Sequence, residues 1–227
     1  MCAATPSRTR FGTRGRPEES RAAILKAAIA EFSEQGIAGA RTDAIAQAAH
    51  VNKALLYYYY KDKDALYEAV LDSVFSGLRA RVLPILDSPL PPRQKLLEYL
   101  GAYFDYIAAN PRIPRVVQAE WMRVGSKRSS PMQRIAREYF QPIYLKLVEL
   151  LRSGIDAGDF RPVNPIDFIP SMVAVIVFYF GTAPAMKTLL KVDPLSPERI
   201  AERRAFVLDF IAAALFTTPP ARLGERS

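Results

Sequence analysis

The sequence predicts an all-α fold in two parts, a small N-terminal three-helix helix-turn-helix domain followed by a larger helical domain. Three observations carry that prediction. Apolar residues recur at three- and four-residue spacings along most of the chain, and no useful length of it alternates with the period of a half-buried strand. Proline and glycine cut these runs into helix-sized pieces, most clearly at Asp87-Ser88-Pro89-Leu90-Pro91-Pro92. Residues Thr42 to Leu66, TDAIAQAAHVNKALLYYYYKDKDAL, spell two short helices around a tight turn, with a third starting at Asp62-Lys63.

The elements follow in order. Residues 1–17 form a basic disordered arm, in which Arg8, Arg10, Arg14 and Arg16 stand with no acidic neighbour. Such an arm either lies along nucleic-acid phosphates or a minor groove, or stays a solvated tail. The first helix spans about Glu19 to Gln35, apolar at Ile24, Leu25, Ala28, Ile29 and Phe32, and Gly36 suits its stop. Thr42 is the expected N-cap of the second helix, where Ile45 and Ala49 share a face and Ala46 permits a close crossing. His50, Val51 and Asn52 make the turn, and Asn52 caps the third helix.

In that third helix Leu55 and Leu56 anchor to the core, leaving Lys53, Ala54, Tyr58 and Tyr59 outward. Four consecutive tyrosines must point all round a helix, so Tyr57 and Tyr60 are expected partly inward. The fourth helix begins at Asp62 with Leu66, Val70, Val74 and Leu78 four apart, and Pro84 disturbs its end. A fifth covers about Gln94 to Ala109 and stops at Asn110-Pro111. Shorter helical stretches lie around Pro114 to Val124, then a long helix from Pro131 to Ala157. Helices from about Pro165 to Leu190 and Pro197 to Phe216 complete the set, giving domains at 18–77 and 78–227.

Composition narrows the function classes. A net charge of +8 favours polyanionic partners. Part of it sits outside the first domain, at Arg112, Arg115, Arg123, Lys127, Arg128, Arg134 and Arg137, where a solvated face is the plain reading. The single cysteine, Cys2, permits no intramolecular disulfide, which fits a reducing cytoplasm. With one histidine and one cysteine there is no Cys/His metal cluster and little scope for histidine-based catalysis. The sequence also lacks GxGxxG and Walker-type phosphate loops, so neither an enzyme nor a cofactor is expected.

One segment raises a membrane reading. Phe168 to Met186 holds nineteen residues without a charge, the length of a membrane span. It also contains Pro170, Ser171, Gly181, Thr182 and Pro184, and no apolar signal segment precedes it. A buried or interface helix accounts for the same hydrophobicity, and no membrane partner is expected.

The stretch from 18 to 75 resembles the TetR family of bacterial transcriptional regulators. The resemblance rests on Thr42, Ile45-Ala46, Val51-Asn52, Leu56-Tyr57, Lys61-Asp62-Lys63 and Leu66. Upstream it extends through Ile24-Leu25-Lys26-Ala27-Ala28 and Phe32-Ser33-Glu34-Gln35-Gly36. Two positions depart from the family pattern: His50 stands where glycine is usual and Tyr60 where phenylalanine is. A positive φ is expected at His50, at a modest cost in stability.

The resemblance implies a homodimer bound to a double-stranded, palindromic DNA operator, with helix three in the major groove and half-sites about 35 Å apart. Thr42, Tyr57 and Lys63 would then hold phosphates, while Lys53, Ala54, Tyr58 and Tyr59 approach base edges. The last two helices would pair with their twofold mates through Phe206, Phe210, Ile211, Ala214 and Leu215. An unidentified small-molecule effector, apolar or aromatic, would bind among Tyr103, Phe104, Trp121, Met122, Tyr139, Tyr144 and Phe178. The expected function is a ligand-released repressor. An activator of the same fold remains open, as, further off, does a membrane-associated or non-specific DNA-binding protein.

Overall fold

The computed structural model describes residues 17–121 and 131–218. These form ten α-helices and a π-helical segment, with no strand among the described residues beyond one isolated bridge, Phe160 to Phe216. The chain divides into two compact units between Ser73 and Val74.

The first unit begins with α1 (Pro17–Gly39). Its regular helix ends at Gly36, whose φ of 64° belongs to the left-handed region that glycine enters without steric cost. Ile24, Ala28 and Phe32 are buried four residues apart on one face of α1, and Phe32 meets Tyr67 edge-on with ring centroids 5.0 Å apart. Helix α2 covers Thr42–Ala48, α3 Lys53–Tyr59, and α4 Lys63–Leu86 runs through the division. Asp62 accepts a hydrogen bond from the Ala65 N–H (2.8 Å) and so caps α4. Pro84 lies in the last turn of α4 without ending it there.

The second unit is a helical bundle. Its helices are α5 (Pro92–Ala109), α6 (Ile113–Trp121), α7 (Met132–Ile135), α8 (Gln141–Asp156), α9 (Pro165–Leu190) and α10 (Pro197–Leu215). Helix α5 lies centrally against α8, α9 and α10, and buries Leu96, Tyr99, Leu100, Phe104 and Ile107.

The long helix expected from Pro131 to Ala157 is interrupted. Residues Ala136–Phe140 are π-helical, joining α7 to α8. Pro142 has no N–H to return to the Glu138 carbonyl four residues back, and Arg79 donates to that carbonyl instead (3.4 Å).

The chain beyond α10 is pinned by Arg93, whose guanidinium reaches the Asp159 carboxylate (2.8 Å), the Thr217 hydroxyl (2.9 Å) and the Thr218 carbonyl (3.1 Å). Close packing there depends on Gly154, since a Cβ would enter the Phe160 ring.

Candidate nucleic-acid interface and ligand cavity

The turn between α2 and α3 is built from backbone hydrogen bonds. The Val51 N–H donates to the Ala46 carbonyl (3.0 Å) and the His50 N–H to the Gln47 carbonyl (3.1 Å). This pair of bonds is the Schellman ending of a helix, which places one residue in the left-handed region. That residue is His50, with φ 54°, as the sequence led us to expect. Val51 and Ala46, the two ends of the motif, are both buried. Asn52 then caps α3, its side-chain oxygen accepting from the Leu55 N–H at 2.7 Å.

Thr42 does not cap α2. Arg41 occupies the N-cap position without a side-chain bond, and its own N–H donates to Glu31 (3.0 Å). The Thr42 hydroxyl instead lies 3.1 Å from the Tyr57 hydroxyl, tying the start of α2 to α3. A threonine before an apolar run reads as a cap in sequence; only the fold brings Tyr57 to it.

One face of α3 is open to solvent, carrying Lys53, Ala54, Tyr57 and Tyr58, with Lys61 continuing it. Tyr58 is 79% exposed and Tyr57 41%. The expected inward and outward pairs therefore hold for Tyr58 and Tyr60 and exchange for the other two. Tyr57 faces out, while Tyr59 is half-buried, its ring against Tyr58 (5.3 Å) and beneath the Arg21 guanidinium (5.8 Å). The reason lies in α1, whose Arg21 guanidinium sits over the Tyr59 ring.

Two lysines on this unit are already engaged. Lys53 pairs with Asp43 of α2 at 2.8 Å. Their hydrogen bond holds the Asp43 carboxyl below its ordinary pKa and pushes the Lys53 ammonium up. Lys63 donates to the Ala38 and Ala40 carbonyls, both at 3.2 Å, and so satisfies the backbone leaving α1. Nothing in the spacing of the sequence indicates either partner. The basic arm at Arg8, Arg10, Arg14 and Arg16, with Cys2, lies outside the described residues, as do Arg123, Lys127 and Arg128.

The second unit holds a half-open cavity of about 590 Å³, within the usual range for small-ligand sites. Helix α4 contributes Val74, Phe75 and Leu78, and α5 contributes Tyr103, Tyr106 and Ile107. Ile113, Val117 and Gln118 of α6 form another wall, with Phe140 and Tyr144 beyond. Helix α9 closes it with Val173, Val177 and Phe178 among others.

Of the residues expected around an effector, Tyr103, Tyr144 and Phe178 line this cavity. Phe104 does not; it is 1% exposed and packs on Phe180 in the core (5.4 Å). Tyr139 turns to a shallow groove beside Arg79 and Asp87, with its ring stacked on Phe75. Met122 and the side chain of Trp121 lie outside the described residues. Aromatic content singled out candidates without saying which face of each helix looks inward. The aliphatic lining from α6 and α9 was missed because its spacing is that of ordinary core.

Helix α9 is long and apolar enough to cross a membrane by length and composition. Its exposed apolar residues Ile166, Pro170, Ala174 and Phe178 recur every four residues, so they form a stripe rather than a uniform coat. On α10, Phe206 and Phe210 are exposed and stacked on each other (5.8 Å), with Ala214 also exposed. Ile211 and Leu215 are not available to a partner, since both are buried in the chain's own core. They fall on the opposite side of α10, which packs on α5 and α9.

These features coincide with those of known regulators. Residues 24–70 match the model of bacterial regulatory proteins of the tetR family, and residues 92–211 match the tetracyclin repressor-like C-terminal domain. The chain is 31% identical over 174 residues to the HTH-type transcriptional repressor SCO4008 of Streptomyces coelicolor, covering 77% of this chain and 84% of that protein. It is 24% identical over 205 residues to the HTH-type transcriptional repressor NicS of Pseudomonas putida, covering 87% and 93%. The solved structure of the ketosteroid transcriptional regulator KstR2 of Mycobacterium tuberculosis shares the fold, with a TM-score of 0.72 at 20% identity, covering 93% of this chain and all of that one at 100%. The protein belongs to the TetR family and is a DNA-binding regulator of transcription.

Proposed function

We propose that the protein is a homodimeric repressor that binds a palindromic operator and is released from it by a small apolar or aromatic ligand. The open face of α3 supports the first part most directly. Lys53, Ala54, Tyr57 and Tyr58 project from one side of a capped helix, as groove contact requires. Thr42 and Tyr57, hydroxyl to hydroxyl, serve phosphates beside that face. Lys63 acts chiefly by fixing the end of α1, since two of its three donors are taken by carbonyls.

Dimerisation is supported by the paired, exposed rings of Phe206 and Phe210 on α10 and the apolar stripe of α9. Phe178 belongs both to that stripe and to the cavity wall. A ligand that moves Phe178 therefore acts on the surface that sets the spacing of the two recognition helices.

The test is binding of purified protein to DNA from upstream of its own gene and neighbouring genes, at two salt concentrations with unrelated competitor. The expected result is a competitor-resistant complex that is lost in Lys53→Ala/Tyr58→Ala. Binding that competitor and moderate salt both abolish, on every fragment from a genome-wide selection, would overturn the reading.

A further inference from the structure

The cavity wall carries a hydroxyl that the described residues do not take up. Tyr103 lines the cavity and is only 8% exposed, and its hydroxyl makes no hydrogen bond to any described residue. A hydroxyl that borders a cavity and is not taken up by the fold is free to donate to whatever occupies that cavity.

Neighbouring hydroxyls show the contrast. Tyr106 donates to the Val74 carbonyl (2.6 Å) and Thr182 to the Phe178 carbonyl (2.8 Å), so both are satisfied within the fold. Burial pushes the Tyr103 phenol well above its ordinary pKa, which keeps it a donor at any working pH. The rest of the described lining is aliphatic and aromatic apart from Gln118 and Tyr144, and it includes no Asp, Glu, Lys, Arg or His. An ionised ligand would lose its hydration there and find no opposite charge among the described lining residues.

Taking the cavity as the effector site proposed above, we infer that its ligand is an uncharged, largely apolar molecule presenting a carbonyl-type oxygen to the Tyr103 hydroxyl. The phenol selects for the oxygen, and the uncharged wall selects against carboxylates and amines of similar size.

The experiment uses three probes of one ring system: acetylnaphthalene with a carbonyl, ethylnaphthalene without a polar group, and naphthoate with a charge. Binding to the full-length protein is measured by calorimetry, alongside Tyr103→Phe and Val173→Trp, which fills the cavity. Acetylnaphthalene is expected to bind most tightly and naphthoate least. Tyr103→Phe should weaken acetylnaphthalene about five- to tenfold, as expected for one hydrogen bond, and leave ethylnaphthalene unchanged. Val173→Trp should abolish both.

Naphthoate binding as well as the ketone, or Tyr103→Phe weakening ketone and hydrocarbon alike, overturns the ligand class while Val173→Trp still reports on the cavity. Binding that Val173→Trp leaves intact, or no binding of any probe, overturns the cavity as effector site and the inference with it.

Discussion

Replacing His50 with glycine should stabilise the protein. His50 sits at φ 54° because the Schellman bonds from His50 and Val51 back to α2 leave it no other conformation. For an L-residue the left-handed region costs roughly 1–2 kcal/mol, and histidine lies toward the lower end because it is among the residues enriched there. Glycine removes that strain but gives the unfolded chain more freedom, a loss of about 0.4–1 kcal/mol. The side chain is exposed and makes no hydrogen bond to any described residue, so truncation gives up little contact. The net expectation is a gain of about 0.5 kcal/mol for His50→Gly. His50→Ala keeps the strain without relief and should fall about 1 kcal/mol below the glycine variant. Urea denaturation followed by circular dichroism reads both, with equal slopes confirming that stability alone has changed. A glycine variant less stable than the parent, or an alanine variant as stable as the glycine one, would refute the account of the turn.

Three other expectations follow from the geometry. Lys63→Met removes two charge-assisted bonds to the Ala38 and Ala40 carbonyls and should cost about 1 kcal/mol, discounted for partial exposure; unchanged denaturation would mean that those bonds contribute nothing. Phe206→Glu/Phe210→Glu should convert a dimer to monomers in sedimentation while keeping the helical spectrum, whereas Ile211→Ala, buried at 3% exposure, should cost about 2–5 kcal/mol in folding. The Asp43–Lys53 pair supplies stability that is present above the ordinary aspartate pKa and is lost as pH falls through Asp43's depressed value. NMR titration of Asp43 should show that depression and lose it in Lys53→Ala; an Asp43 that titrates identically in both proteins would rule out the pair in solution.

How much of this was legible beforehand depended on the range of the interaction. Gly36, His50 and Asn52 mark a helix end, a turn and a cap, and each acts through backbone atoms within a few residues. The limits of α9 were similarly plain, because a proline at the start and periodic apolar residues within are local signals, whereas α5 starts at Pro92, two residues before the expected Gln94. The π segment before α8 escaped notice, although Pro142 carried the cue: a helix can bend around a missing N–H as readily as stop at it.

The site divided along the same line. Which residues α3 offers outward followed largely from helical period, and Tyr57 and Tyr59 exchanged places because Arg21 of α1 sits over the Tyr59 ring. Sequence by itself determined the family, the all-α class and the helix-turn-helix, since these depend on short-range pattern and backbone chemistry. Only the tertiary structure decided that Lys53 meets Asp43, that Thr42 meets Tyr57, and that Lys63 serves the end of α1. It alone separated Phe104 in the core from Tyr103 on the cavity, one residue apart on the same helix. Adjacent residues on a helix point about 100° apart, so what each one touches is set by helices distant in the chain.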